Sequence, residues 1–404
     1  MSRINDLIKE LCPNGVEHKQ LNEIADTFIG LATSVTKHKT SDGVILLHNS
    51  DIKQNKIILK TIEFIDKGFA DKNVNKYYQY HDIATVHTGD VGTSAVIEEE
   101  YVGSMGFTTL VTRIYDFNYI NPYFLCHYFN SQLFKNDVAR VTISDRSNLN
   151  QKEFCQLLIP IPPLEVQNEI VRILDKFGEL EAELEAELEA RKSQYEFWRE
   201  KLLNNGKYSV VSLGDYATFS QGIQVDPKDQ KDYCDDGMVP FLRIVDFVKD
   251  DEPPRYIIKP DNKYIKKENE EMVMIRYGAS AAGKVFINKY GAIANNMFKI
   301  NLTTNEIDIK YLWHYLSQDK IYKSLNNTGG GSTMPAINFK MASSIQVVLP
   351  PKEEQNRIVK ILDKFEELAN DITVGLPAEI ELRRKQYEYY RNKLLSFEEL
   401  SVSE

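Results

Sequence analysis

The stretch "GASAAGKV", residues 278–285, comes within one letter of the phosphate-binding pattern G-x-x-x-x-G-K-[ST]. Gly278, Gly283 and Lys284 are in place, but Val285 stands where a Ser or Thr hydroxyl would hold Mg2+. Such a loop also needs a helix behind it, and the residues that follow, "VFINKYGAIA", are β-branched, aromatic and interrupted by Gly. The stretch is expected to be a glycine-permitted turn between strands, not an ATP site. "NPYF" (121–124) approaches the N-P-P-Y motif of adenine methyltransferases but lacks the second Pro. It runs into an apolar helical pattern, so Pro122 reads as a helix start. The four cysteines are scattered without a C-x-x-C pair, and the seven histidines show no triad or metal spacing. No catalytic or metal-ligating residue is assigned.

The bulk properties narrow the class. A chain of 404 residues has room for two or three domains. No apolar run reaches the ~18 residues of a membrane span. The N-terminus "MSRINDLIKELCPNG" has no signal-peptide core, and the cysteine usage suits a reducing cytoplasm. Net charge is −10, unevenly spread. Segments 162–204 and 351–404 hold 15 basic and 23 acidic residues, or −8, which leaves the two long segments near neutral. A near-neutral domain can still present a basic face, so the total does not exclude nucleic acid.

The chain repeats itself. "PPLEVQNEIVRILDKF" (162–177) and "PPKEEQNRIVKILDKF" (350–365) share twelve of sixteen letters. "QYEFWREKLL" (194–203) returns as "QYEYYRNKLL" (386–395). Fainter matches link the long segments: "LNEIADTFIGL" with "LGDYATFSQGI", Asp51 with Asp246, His127 with His314, Asn150 with Asn338, and "GDVGTSAV" (89–96) with "GASAAGKV". The order is variable half, helix block, variable half, helix block.

Each helix block opens on a Pro pair, where a missing amide hydrogen costs nothing. Apolar residues from Ile170 to Leu202 then recur at three- and four-residue steps, predicting a helix over 164–203 that spans ~60 Å if unbroken. Its middle, "ELEAELEAELEA" (179–190), consists of strong helix formers whose Glu side chains should face solvent or a basic partner. The second block is four residues longer and contains Gly375-Leu376-Pro377, which predicts a break. Two apolar stripes most simply bury each other as an antiparallel pair. The variable halves alternate β-rich runs with a helix near "PYFLCHYFNSQLF" or "IKYLWHYLSQDKIY", the pattern of mixed α/β domains. Two similar domains held apart by two helices suit the reading of two sites on one linear polymer; a two-armed protein-binding scaffold is the alternative.

The repeated Pro-Pro blocks, the "ELEA" tetrapeptides and "GLPAEIELRRKQYEYYR" together resemble the specificity subunit of type I restriction–modification systems, over essentially the whole chain. The resemblance implies an α+β fold: two mixed α/β target recognition domains, separated by two long antiparallel helices that form a coiled-coil-like spacer, with a pseudo-twofold internal repeat. The expected boundaries are 1–158 and 208–346 for the recognition domains, the first with a short N-terminal helix, and 159–207 and 347–404 for the spacers. It implies a non-catalytic subunit that reads a split asymmetric sequence in double-stranded DNA. Two methylation subunits and restriction subunits would dock on it, and these partners would carry S-adenosylmethionine, ATP and Mg, with no cofactor on this chain and no membrane. The number of "ELEA" units, three here, would be linked to the unspecified gap between the half-sites.

Within that reading, the equivalent loops "TISDRSNLNQ" (142–151) and "TGGGSTMPAIN" (328–338) suit hydrogen bonding to bases or phosphates. Arg146, with Ser147 and Asn148, is the guanine-reading candidate of the first; Ser332 and Thr333 belong to the second. Lys37, His38 and Lys39 of "TKHKT", Arg243, Arg276, Asn295 and Asn296 follow, with Lys284 as a phosphate contact.

Overall fold

The computed structural model describes residues 2–32, 34–141, 148–249, 252–278, 281–327, 336–370 and 375–400. It divides into two compact units, Met1–Glu185 with Ile380–Glu404, and Ala186–Glu379.

In the first unit, strands Ala25–Ile29, Thr109–Ile114, Ile83–Val86 and Ser94–Val96 form an antiparallel sheet in that spatial order. Its β-branched central strand is covered on both faces: Thr109, Leu110, Val111 and Thr112 are all fully buried. One face packs on helix Pro122–Phe129 in a core that includes Phe124, Leu125 and Phe129. The other face supplies Val86 and Val111 to a smaller core with Leu47, Ile52 and Tyr78. There a second sheet runs Met105–Phe107, Val44–His48, Phe64–Ile65, Lys39–Thr40, its first pair parallel. A ribbon of Glu17–Gln20 with Leu158–Ile161 closes the domain on itself just before the long helix.

The second unit repeats this order. Its antiparallel sheet runs Ala217–Gln221, Met297–Leu302, Met272–Ile275, Val285–Phe286. Its second sheet again contains one parallel pair, Met238–Leu242 with Gly291–Ile293, and its closing ribbon pairs Ser209–Ser212 with Gln346–Leu349. The helices Pro122–Phe129 and Ile309–Leu316 start alike. The Asn121 side chain accepts from the Tyr123 and Phe124 amides, and Asp308 does the same for Lys310 and Tyr311. "NPYF" is thus a helix cap.

Helix Leu164–Leu203 starts directly after its Pro pair, and Lys352–Asn370 after the other. The second block comprises the helices Lys352–Asn370 and Leu376–Leu395, with Gly375 in neither. The first part of each block packs in one unit with the last part of the other block. Val166, Ile170 and Leu174 share a core with Leu394 and Leu395 in the first unit; Ile358 and Leu362 share one with Tyr195 and Leu203 in the second. The paired helices are antiparallel in the first unit: Phe177 meets Tyr390, while Glu181 and Glu185, further along, both bind Arg384. These two "ELEA" glutamates are paired across the helices, while Glu179, Glu187 and Glu189 pair with Lys176, Arg191 and Lys192 of their own helix.

A buried glutamine fastens each block to its domain. Gln167 Oε1 accepts from the Asn121 amide at 2.8 Å, and its Nε2 donates to the carbonyls of Tyr119 and Pro162. Gln355 binds the Asp308 amide and the carbonyls of Glu306 and Pro350 in the same way. Both side chains are fully buried. Gln355→Leu leaves those three backbone groups without a partner. It should lower the stability of the chain by about 1–3 kcal/mol, read as a shift of the urea midpoint; an unchanged midpoint would contradict this role.

Candidate nucleic-acid interface

The near-nucleotide loop is the tip of a β-hairpin. Met272–Ile275 pairs with Val285–Phe286, and a strand, not a helix, comes next. The Gly283 amide donates to Ile275 O, and Gly92 donates to Val86 O at the same place in the first unit. Gly278 and Gly283 have φ of +122° and +92°, and Gly89 and Gly92 have +102° and +89°. Side chains rarely adopt such angles, so glycine opens and closes the turn in both copies. Matching the letters one to one pairs Gly92 with Ala281. The structure pairs Gly92 with Gly283, because the second turn is two residues longer. Lys284 then falls opposite Thr93 and is exposed.

Beside each turn lies the end of a polar loop. In the second unit the Ile337 amide donates to Arg276 O, and Tyr277 bridges Ala336. In the first, the Leu149 amide donates to His87 O, and Thr88 bridges Asn148, its hydroxyl bonded to Asn148 Oδ1 at 3.0 Å. Residues 142–147 and 328–335 lie outside the described set, and with them Arg146, Ser147, Ser332 and Thr333.

The structure brings Arg276, Asn295 and Asn296 together. The Arg276 amide donates to Asn296 O, and Asn295 Nδ2 donates to Gln224 at 3.2 Å. The Arg276 guanidinium lies 4.9 Å from the Tyr277 ring centre. Its Nε and Asn296 Oδ1 are buried without a hydrogen-bond partner among the described residues, a rare state that marks a place where a partner is wanted. The corresponding cluster of the first unit is His87, Thr88, Asn49 and Asn148. Asn49 Oδ1 accepts from the His87 amide, and its Nδ2 reaches Thr108. Burial lowers the His87 pKa, which favours a neutral imidazole. Sequence reasoning missed His87, Thr88 and Asn49. Their signal was position: His87-Thr88 precede Gly89 as Arg276-Tyr277 precede Gly278.

The other candidates are placed elsewhere. His38 stacks on Phe69 with ring centres 3.9 Å apart. Lys39 binds Glu63 at 2.6 Å, and Lys39 with His48 holds that carboxyl below the usual range. Lys37 is exposed and makes no ion pair among the described residues. Arg243 grips the buried Asp246 with two nitrogens, at 2.7 and 3.1 Å, and also binds Glu252 and Pro253 O. Asp246 accepts from the Arg243 amide as Asp51 accepts from that of His48. The guanidinium is committed to holding this corner.

What the two clusters offer is amides, hydroxyls, one guanidinium and an exposed ammonium around a glycine turn. That is chemistry for hydrogen bonding to an extended polar ligand; the His87 imidazole is already hydrogen-bonded to the Thr88 hydroxyl, Nδ1 to Oγ1, at 2.9 Å.

The family described as type I restriction modification DNA specificity domain matches twice, at residues 13–190 and 205–382. The chain belongs to this family. A type I restriction enzyme specificity subunit of Escherichia coli is 35% identical over 272 residues, 62% of this chain and 65% of that one, just under two thirds of the relative's length. A putative type I restriction enzyme specificity subunit of Methanocaldococcus jannaschii is 24% identical over 410 residues, 93% of this chain and 90% of that one. Among solved structures, a chain from a study of complex assembly and conformational transition in a type I restriction–modification system aligns with a TM-score of 0.62, 17% identity and coverage of 95% and 98%. The type I S subunit from M. genitalium aligns at 0.54, 13% identity and coverage of 94% and 96%. These likenesses support the mixed α/β fold with its duplicated domain. The curated relatives are named as specificity subunits. Among the described residues no helix is long and apolar enough to cross a membrane.

The committed and exposed cations should separate by experiment. Arg243→Ala strands a buried carboxylate and should cost about 1–3 kcal/mol in urea denaturation, whereas Lys284→Ala should stay within about 0.5 kcal/mol of the parent. Equal effects would mean that Arg243 has no fastening role.

Proposed function

We propose that this chain is the DNA sequence-recognition subunit of a type I restriction–modification complex. Each unit reads one half of a bipartite asymmetric site in double-stranded DNA. The helix blocks set the spacing of the two readings and dock two methylation subunits, and restriction subunits join that core. S-adenosylmethionine, ATP and Mg2+ reside on the partner chains, and the complex works in the cytoplasm, where the DNA is. The observation that carries this reading is the duplicated site. In each unit of a chain from the specificity family, a glycine turn is bridged to the end of a Ser-, Thr- and Asn-rich loop. Backbone that can approach closely, amides that read base edges and a guanidinium suited to guanine are the chemistry of groove recognition.

The test is to co-express the chain with its methylation subunit and map methylated adenines across a genome. A bipartite motif is expected; a soluble complex that yields none would sink the proposal. Within the same assay, Arg276→Ala should relax one half-sequence only. Lys284→Ala should weaken binding to all sequences and reduce the salt slope by about one. Deleting one "ELEA" unit should change the gap and leave both half-sequences intact. Binding that is insensitive to salt and sequence would favour a protein-binding scaffold instead.

A further inference from the structure

We propose that His314, Asp363 and Glu366 form a site for one divalent cation of the zinc class in the second unit. Each residue offers one ligand atom, and these atoms lie within 4.8 Å of one another. Asp363 and Glu366 sit three residues apart on helix Lys352–Asn370, hence on one face. His314 comes from helix Ile309–Leu316, which packs against it.

The surroundings make this more than a chance meeting of acids. The His314 side chain is fully inaccessible, and its Nε2 faces the Asp363 carboxylate. Glu366 makes no side-chain hydrogen bond among the described residues. Two half-buried carboxylates this close repel, and among the described residues a cation is bonded to Asp363 alone, that of Lys310.

The surroundings leave room for the ion. Lys310 occupies Asp363 Oδ2, while Oδ1 faces His314 Nε2 at 2.8 Å. A cation would take over that second contact, with the imidazole proton moving to Nδ1. One imidazole nitrogen with two carboxylate oxygens suits Zn2+ better than Mg2+ or Ca2+, which prefer all-oxygen shells. A cavity of about 560 Å³, lined by Asp363, Glu366, Trp313 and Lys310 among others, provides entry and space for coordinated water.

The first unit is a built-in comparison. His127 binds Asp175 at 2.9 Å in the same way, but Gly178 stands three residues later where the second unit has Glu366. The third ligand is missing there, and His127 Nδ1 is instead 3.2 Å from the Tyr387 hydroxyl. One ion per chain is therefore expected, pinning the second recognition domain to its own helix block. This does not depend on the DNA-reading role.

The test uses the full chain, stripped with a chelator and titrated with Zn2+ by calorimetry at neutral pH. The parent should bind one Zn2+ through this site and unfold at higher temperature in its presence. Glu366→Gln, which removes a repulsion and should fold normally by circular dichroism, should lose at least about tenfold in affinity together with the thermal shift. Glu367→Gln, a change at the exposed neighbour, should behave as the parent. Equal Zn2+ stoichiometry and affinity in the parent and Glu366→Gln, or no uptake by the parent at micromolar Zn2+, would overturn the proposal.

Discussion

One side-chain amide in each unit decides how the recognition domain meets its helix. The Pro pair starts the helix but leaves the Pro162 and Pro350 carbonyls to be satisfied by something other than helix amides. Gln167 and Gln355 take them, and in the same stroke take an amide and a carbonyl from the segment before the recognition-domain helix. Apolar burial is not directional and would tolerate sliding. Three hydrogen bonds from one planar group would not. Eight residues on, about two turns along the same face, Asp175 and Asp363 bind His127 and His314. Two directional fasteners on one helix face fix both its rotation and its translation against the domain.

That frame explains why the tips can differ. The fasteners satisfy backbone groups, so exchanging them costs buried hydrogen bonds. At the tip, the backbone is satisfied by the hairpin itself, through Gly92 to Val86 O and Gly283 to Ile275 O. Side chains there can differ while the backbone bonds stay the same: Thr93 stands opposite Lys284, His87 opposite Arg276. Two extra residues in the second turn are absorbed between glycines of positive φ. A domain built to read different ligands on one scaffold needs this division between a fixed base and a permissive tip.

Much of this was legible in the sequence. The helix blocks were readable because periodicity, Pro starts and the break at Gly375 are local signals. The near-nucleotide loop was rightly read as a turn, since a phosphate loop needs a hydroxyl and a helix that "KVFINKYGAIA" cannot supply. The histidines were passed over. Their partners lie 48 and 49 residues away, a distance at which spacing rules say nothing. Arg243 was read as a DNA-contact candidate, and only the fold shows its guanidinium spent on Asp246. The turn register was misaligned because letters were matched without the strands that flank them. His87 and Thr88 were invisible until Arg276 and Tyr277 showed what that position does.

The charge of the chain also reads differently once the elements are placed. A net −10 argues against a DNA-binding surface only if the acids share that surface. They are concentrated in the helix blocks, and several are spent internally. Arg384 takes Glu181 and Glu185, Arg172 takes Glu169, and Arg357 takes Glu354. An exposed pair of this kind adds little stability, but it lowers the field that would otherwise reach past the block. At ordinary ionic strength, with a screening length near ~8 Å, the remaining glutamates act mainly on what touches the helix. An acidic helix block and a glycine turn carrying Lys284 can therefore present opposite electrostatic faces in one chain. The net charge reports the sum of two surfaces and describes neither.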